Sequence, residues 1–338
     1  MYTIVYSFRP TDNKPEESPM KRLVATLAAL AFAGAAAAQS DFPTRTITML
    51  VGFAPGGATD TAARIIAKKM AENIGQSVVV ENKPGAGGNI AHQFVANAAP
   101  DGYTILLGSV GPLAVAPHLM KLPYDPFKDL APLTMAVTFP NVLVVHAGVP
   151  AKTFAEYLAL AKAKPGSLDF ASTGVGSASH LAGELLNQKA GISVVHIPYK
   201  GGGPAMTDLR GGRVGAYYST PSTAGPHIEA GKLKALAVTS LKRSAFLPNV
   251  PTIAESGYPG FEAENWYAFV TSAKVPPAIL DRWNKELVKA LNDPSVKEQL
   301  AKHFLEPAPG TRDELAAYIK REYDTWGKVV KAAGIKAE

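Results

Sequence analysis

The stretch GFAPGGATD, Gly52–Asp60, lies between an apolar run at Thr46–Val51 and a segment of helical periodicity at Ala58–Asn73. The apolar run has the residue types of a buried strand, and the periodic segment predicts an amphipathic helix. Glycines at the junction let the backbone approach a ligand closely, and the N–H groups of a first helical turn have no partner inside the helix. The stretch therefore predicts an α/β unit whose turn can hold an anion. The alternative is a plain turn in which Thr59 or Asp60 caps the helix.

Strand-like and helix-like segments alternate along most of the remaining chain, as in βαβ units around a mostly parallel sheet. The predicted strands are 77–81, 103–107, 141–145, 168–171, 194–197, 214–218 and 235–238. The predicted helices are 89–98, 153–164, 179–189, 204–209 and 224–230. After the proline-bearing segment Leu247–Gly260 the pattern becomes helical from Pro277 onward, and the last helix opens with a capping box at Thr311–Glu314. The apolar stripe of that helix consists of Leu315, Ile319, Trp326 and Val330.

The length of the chain indicates two lobes. At 338 residues and 47% hydrophobic content, the chain can bury more apolar surface than one small core needs. We assign residues 39–139 and 255–338 to lobe 1, and residues 140–254 to lobe 2.

The N-terminal region has the features of a secretory signal peptide. Met20-Lys21-Arg22 is followed by an apolar run at 23–38, with small residues at Ala36 and Ala38. The run is shorter than the roughly twenty residues of a membrane span, so we expect cleavage before Gln39 and export to the periplasm. Residues 1–19 are then an upstream extension and Met20 is the true start; the alternative is one long, unusual signal sequence.

Composition and motifs exclude several classes of function. The net charge of +6 arises from 34 basic and 28 acidic residues without a long run of either, so we expect no nucleic-acid partner. The chain has no cysteine, and its 7 histidines never occur at HExxH or HxH spacing, so we expect no disulfide and no metal site. The sequence has neither a Walker A loop nor GxGxxG, which argues against a nucleotide cofactor. We expect no cofactor of any kind.

Catalytic signatures are also missing from the sequence, which contains no GxSxG, HExxH or kinase motif set. Ser177 and His180 could suggest a nucleophile and a base. Their spacing is that of a helix cap, however, so we expect no catalysis.

Three further glycine-rich segments precede predicted helices. They are Gly85–Asn89, Ser172–His180 and Ile197–Ala205. Each alone is explained by a helix start or by tight packing. Together they are candidates for one site, because ligands of open α/β sheets bind at the carboxyl ends of the strands.

These segments occur in a characteristic order between Phe42 and Val330. The order is FPTRTITMLVGFAPGGATD, NKPGAGGNIA, APDGYTILLGS, LPYDPFKDLAP, AKPGSLDFASTGVGSASHLAGELL, HIPYKGGGPAMTDLRGGRV, IEAGKLKALAVTS and LPNVPTIAESGYPGFE. This order resembles the Bug family, the periplasmic solute-binding receptors of tripartite tricarboxylate transporters. The resemblance implies a type II periplasmic-binding-protein fold, with two α/β lobes and a ligand cleft between them. It also implies a small carboxylate ligand, membrane transporter subunits as partners, and a monomer.

The resemblance further implies which residues bind the ligand, mainly through backbone N–H groups. On the first lobe they are Phe53, Ala54, Gly56, Gly57, Asp60 and Ser109. On the second lobe they are Gly174, Gly176, Ser177, His180, Tyr199, Lys200 and Gly201. The sequence departs from the family pattern at Ala91-His92, where a glycine is usual, and at Ser272–Pro276, so ligand specificity does not carry over from relatives.

We therefore expect a receptor that closes on a small carboxylate and delivers it to a membrane transporter. A sensory protein that presents its closed form to a membrane kinase is the first alternative. An enzyme on the same scaffold is the second. The identity of the ligand stays open, because the directions of the side chains in the distal part of the cleft cannot be inferred from the sequence.

Overall fold

The computed structural model describes residues 1, 2, 4 and 42–335. The chain divides into two units, Met1–Phe42 and Pro43–Glu338, and the second contains all the helices and strands given below. The predicted signal peptide, its cleavage site and the start at Met20 lie outside the described residues.

The strands, in chain order, are β1 (Ile47–Val51), β2 (Val78–Asn82), β3 (Thr104–Ser109), β4 (Leu130–Pro140), β5 (Val142–His146), β6 (Asp169–Ser172), β7 (Val195–Pro198), β8 (Ala216–Ser219), β9 (Leu233–Val238), β10 (Glu264–Ser272) and β11 (Glu306–Pro307). Each predicted strand overlaps an observed one. The predicted strand Thr46–Val51 is β1, and its apolar residues are fully buried.

The helices are α1 (Ala58–Ile74), α2 (Asn89–Ala96), α3 (Ala116–Leu119), α4 (Phe154–Ala163), α5 (Ala178–Ala190), α6 (Gly202–Arg210), α7 (Pro221–Glu229), α8 (Pro277–Asn292), α9 (Pro294–Ala301) and α10 (Arg312–Ala333). Both halves of the predicted capping box are present at the start of α10, and the predicted apolar stripe of this helix is buried. No helix in the described part of the chain is long and apolar enough to cross a membrane.

The strands form two mixed sheets. The first has the order β11-β4-β10-β3-β1-β2 and the second the order β7-β6-β8-β5-β9. Strands β1 and β6 each pair in parallel with two neighbours, as βαβ units require. The other five pairings among the described strands are antiparallel, so the expectation of a mostly parallel sheet is wrong. The reason is topological, because β5 and β10 are the strands by which the chain enters each sheet from the other, and each runs against both of its neighbours. The short strand β11 adds the fifth antiparallel pairing.

The two longest strands, β4 and β10, were not predicted from the sequence. Strand β4 contains Pro132 and ends at Pro140, and proline within a run argues against a strand. Strand β10 is buried along nearly all of its length, so it lacks the polar alternation that marks a half-exposed strand. These two strands pair with each other along their full lengths and carry the chain between the sheets.

The chain crosses between the two sheets twice, after β4 and before β10, and Thr239 joins the two connections. Its N–H donates to the carbonyl of Asn141 at 3.0 Å, and its hydroxyl donates to the carbonyl of Ala263 at 2.7 Å. The predicted lobe boundaries, 139/140 and 254/255, lie at the end of β4 and inside the second connection. The assignment of residues to lobes stays a prediction, because the described chain from Pro43 onward forms one compact unit.

Candidate functional site

The candidate site is a cavity where the loops of the two sheets meet. The space between its lining atoms is about 440 Å³ including the part open to solvent, and about 20 Å³ of it admits the centre of a water molecule. A single water needs roughly 10 to 15 Å³ by that measure, so the cavity has room for little more than one water. A bound carboxylate of several carbons would require the loops to separate.

Four helices begin at this cavity, counted over the described residues. Gly57, the N-cap of α1, and Ser177, the N-cap of α5, both line it. So do Gly202, the first residue of α6, and Thr220, the N-cap of α7. A helix N-terminus carries a partial positive charge and unpaired N–H groups, which together bind anions. The four N-termini give the cavity an electropositive character although no described lining residue carries a full charge.

The first loop, Gly52–Asp60, is held in place by hydrogen bonds of residues that do not line the cavity. Phe53 and Gly57 line the cavity, whereas Ala54 and Gly56 do not. The N–H of Ala54 donates to the carbonyl of Lys200 across the cleft at 2.9 Å, so this amide closes the two loops upon each other. The N–H of Gly56 donates to the Asp60 carboxylate at 3.2 Å.

Asp60 is a buried support for this loop and does not line the cavity. Burial raises its pKa, but hydrogen bonds from Arg64, Asn82 and Gly56 outweigh burial and hold the pKa below its ordinary value. The N-cap of α1 is Gly57, so neither Thr59 nor Asp60 is the cap that the sequence suggested. Asp60 instead accepts the amide just before the helix, which supports a structural role.

The second loop, Ser172–His180, combines capping with access to the cavity. Ser177 lines the cavity, and its hydroxyl accepts from the N–H of His180 at 3.4 Å. The buried His180 ring accepts from the N–H of Gly176 at 3.3 Å, so it supports the loop from behind. Gly174 and Gly176 do not line the cavity.

Close approach across the cleft explains the glycines of the second loop. A methyl group on Gly174 would lie 2.9 Å from the backbone nitrogen of Gly87 on the facing loop. One on Gly87 would lie 2.2 Å from the carbonyl oxygen of Val175. Only residues without a Cβ allow this contact between the sheets.

The third loop is Ile197–Ala205. None of its three predicted site residues lines the cavity. The Tyr199 hydroxyl donates to Asp208 at 2.8 Å, and burial together with that carboxylate raises the pKa of Tyr199 to about 12. Lys200 is exposed, and its carbonyl accepts from Ala54. Gly201 has a φ of 139° and packs against the first loop, which leaves Gly202 as the lining residue.

The remaining lining residues are mostly hydroxyl and amide side chains. Ser109, which the family resemblance implied, lines the cavity. Those that sequence reasoning missed are Ala58, Thr59, Asn141, Thr173, Ala178, Ser179, Tyr217, Tyr218, Thr220, Thr223, Asn265 and Tyr267. The rule that ligands meet the carboxyl ends of strands could have found Thr220, which follows β8. Nothing in the sequence indicated Asn265 or Tyr267, because β10 was not predicted.

The described residues contain no group of three or more His, Asp or Glu side chains placed to hold a metal ion. Burial raises the pKa of both Tyr217 and Tyr267, so these phenols are neutral at physiological pH. The cavity can therefore meet an anion with N–H groups, hydroxyls and amides.

Comparison with known proteins agrees with this geometry. Residues 62–335 match the model of the tripartite tricarboxylate transporter family receptor. The protein BugT of Bordetella pertussis (strain Tohama I) is 40% identical over 322 residues, covering 94% of this chain and 99% of BugT. The structure of the periplasmic binding protein BugD superimposes with a TM-score of 0.85 at 37% identity, covering 88% of this chain and 100% of BugD.

Two similar structures contain carboxylates. R. palustris Rpa4515 with adipate has a TM-score of 0.84 at 35% identity, covering 87% of this chain and 99% of Rpa4515. MatC (Rpa3494) from Rhodopseudomonas palustris with bound malate has a TM-score of 0.82 at 33% identity, covering 86% of this chain and 100% of MatC.

The fold and these matches define a solute-binding protein of the periplasmic type, with two mixed sheets and helices around them. The chain belongs to the tripartite tricarboxylate transporter receptor family, which confirms the resemblance to the Bug proteins. This family and its structural neighbours are binding proteins, so the prediction that the chain is not an enzyme is confirmed as well.

Proposed function

We propose that this protein is a periplasmic, monomeric receptor that captures a small carboxylate in the cavity and delivers it to a tripartite tricarboxylate-type membrane transporter. The observation that carries the proposal is the convergence of four helix N-termini on a cavity whose described lining carries no charge. The adipate and malate in the similar structures support the same ligand class.

In this proposal, N–H groups at the starts of α1 and α5 hold the carboxylate, together with the hydroxyls of Ser109 and Ser177. Oriented amides stabilise an anion without burying an opposite charge beside it, which keeps the bound ligand releasable. The other predicted site residues act by shaping the loops. They are Ala54, Gly56, Asp60, Gly174, Gly176, His180, Tyr199, Lys200 and Gly201.

Calorimetric titration of the mature protein with a panel of mono- and dicarboxylates tests the binding step. Ser177→Ala removes a hydroxyl from the cavity, and losing a hydrogen bond to a charged group costs about 1.5 to 3 kcal/mol. We therefore expect at least about a tenfold loss of affinity, since 1.4 kcal/mol is a factor of ten.

Thr153→Ala is the matched control for Ser177→Ala. Thr153 caps α4 by accepting from the N–H of Glu156, and it is not among the lining residues. Both variants should lose about 0.5 to 2 kcal/mol of stability, but only Ser177→Ala should lose affinity. Equal affinity in both variants would remove the Ser177 hydroxyl from the binding site.

Delivery to a transporter needs a separate measurement. Cells that lack the receptor gene should lose uptake of the radiolabelled ligand identified by calorimetry, and the wild-type gene should restore it. Unchanged uptake in the deletion strain would favour the sensory alternative instead. Sequencing the N-terminus of protein recovered from the periplasm tests the predicted cleavage before Gln39.

A further inference from the structure

One wall of the cavity, formed by Asn141, Asn265 and Tyr217 and called the far wall, carries polar atoms that have no hydrogen-bond partner among the described residues. Asn141 and Asn265 line the cavity and are almost completely buried. The Asn265 amide nitrogen donates to the Asn141 amide oxygen at 3.2 Å. This leaves the Asn141 nitrogen and the Asn265 oxygen without a hydrogen-bond partner among the described residues.

The two amides present the same chemistry in either orientation. Exchanging oxygen and nitrogen in both side chains keeps the hydrogen bond between them and again leaves one N–H donor and one oxygen acceptor free. The presence of one donor and one acceptor at this wall therefore does not depend on how the amides are assigned.

Tyr217 adds a third polar atom to the same cavity. Its side chain is fully buried, and its hydroxyl has no hydrogen bond of ordinary geometry within the described chain. The Ser219 hydroxyl lies close enough to lower the pKa of this phenol, but its best-aligned hydrogen bond is the one it donates to the carbonyl of Thr220. A buried polar atom without a partner is rare in native proteins and calls for a specific explanation.

A ligand group that fits this wall must both donate and accept a hydrogen bond. A carboxylate only accepts, so its second oxygen would face the free amide oxygen of the Asn141–Asn265 pair without a proton between them. A carboxamide has one oxygen and one NH₂ group, and it can pair with both free atoms at once.

We infer that the ligand carries one carboxylate, which binds the helix N-termini, and one carboxamide, which binds the Asn141–Asn265 pair as a neutral donor and acceptor. This inference rests on the proposed function. The protein would then be a receptor for monocarboxylates with a distal carboxamide, in preference to dicarboxylates of the same length.

The test compares isosteric ligand pairs by calorimetry on the mature wild-type protein. The pairs are succinate and succinamate, glutarate and glutaramate, and adipate and adipamate. We expect the monoamide of the best-fitting length to bind at least tenfold more tightly than its dicarboxylate. A dicarboxylate that binds as tightly as its monoamide overturns this inference and leaves the proposed function intact. A failure of all six to bind overturns the carboxylate receptor itself.

Asn265→Asp tests the far wall directly, because it replaces the amide with a group that only accepts. The preference for the monoamide over the dicarboxylate should widen by a further tenfold. Asn97→Asp is the matched control, since it adds the same charge at an exposed asparagine outside the cavity. An unchanged preference in Asn265→Asp, with an intact melting transition, overturns the inference.

Tyr217→Phe keeps the test decisive if a buried aspartate prevents folding. The hydroxyl makes no hydrogen bond of ordinary geometry to the described protein, so its removal should leave the melting temperature unchanged. Binding of the monoamide should weaken threefold to tenfold. Wild-type affinity for the monoamide in this variant would show that the ligand does not reach the far wall, which also overturns the inference.

Discussion

At the scale of single residues, Asp60 shows how a residue predicted to contact the ligand can instead stabilise a loop beside the cavity. Its carboxylate accepts from Arg64 at 2.9 Å, from Asn82 at 3.0 Å and from Gly56. An unpaired acid beside a bound carboxylate would be unfavourable, and these three donors remove that difficulty. Asp60 therefore fixes the loop that presents Gly57 to the cavity.

Asp60→Asn should lower the free energy of unfolding at pH 7 by about 1 to 3 kcal/mol, because hydrogen bonds to a buried charge are lost. The order of affinities among carboxylates should stay the same. Denaturant unfolding and calorimetry measure the two effects. Asp101→Asn, which breaks the exposed ion pair with Arg45, is the control and should cost about 1 kcal/mol or less.

The pH dependence of this difference follows from the lowered pKa of Asp60. A lowered pKa in the folded state stabilises the protein above the unfolded value, for which 3.8 is the reference. The stability advantage of wild type over Asp60→Asn should therefore persist at neutral pH and fall as the pH drops below 3.8. An advantage that grows on acidification would contradict the assigned hydrogen bonds.

The predicted site residues that line the cavity include two whose position depends on local sequence. Gly57 and Ser177 each lie where a strand passes into a helix, and their role in binding stays a prediction. Asn141 and Asn265 are 124 residues apart and meet only where β4 and β10 bring the two connections together. No local pattern encodes such a pair, so this part of the site could not be predicted.

At the scale of secondary-structure elements, α10 shows which sequence signals are enough to predict a helix. Its capping box and apolar stripe lie within one segment, and both were predicted correctly. Strands β4 and β10 instead depend on partners that are distant along the chain, and their burial removes the alternation that would reveal them. The βαβ units were thus predictable, and the antiparallel strands that join the sheets were not.

Thr311→Ala should lower the free energy of unfolding by about 0.5 to 2 kcal/mol, because the hydroxyl accepts from the N–H of Glu314 at the start of α10. Thr311→Ser keeps the hydroxyl and is the matched control. Thermal unfolding monitored by circular dichroism measures both variants. A loss in the serine variant as large as in the alanine variant would show that the methyl group, and not the cap, is responsible.

At the scale of the whole molecule, loops of the two sheets meet through glycine backbones, as at Gly87 and Gly174. Gly111 adds to the contact, since a methyl group there would lie 2.7 Å from the carbonyl oxygen of Gly176. We call this contact between glycine backbones the seam. The seam and the small free volume of the cavity belong to the same conformation. Ligand entry therefore requires the seam to open.

Gly87→Ala should hold the seam open, because the added methyl group meets the carbonyl of Val175. We expect at least a tenfold loss of affinity and a larger radius of gyration in small-angle X-ray scattering. Gly75→Ala is the control for backbone strain, with a φ of 69° against 63° at Gly87 and no atom within 4 Å of the added methyl. Equal affinities in the two variants would mean that closure does not depend on this contact.

Thr239 has a mechanical consequence for how the receptor opens. Because Thr239 is hydrogen-bonded to both Asn141 and Ala263, the two connections form one short ladder and cannot twist independently. We therefore expect the two sheets to move relative to each other by rotation about these connections, as in a hinge, and not by sliding past one another. Opening of the receptor would then change one angle between its two sheets, with the axis of rotation close to Thr239.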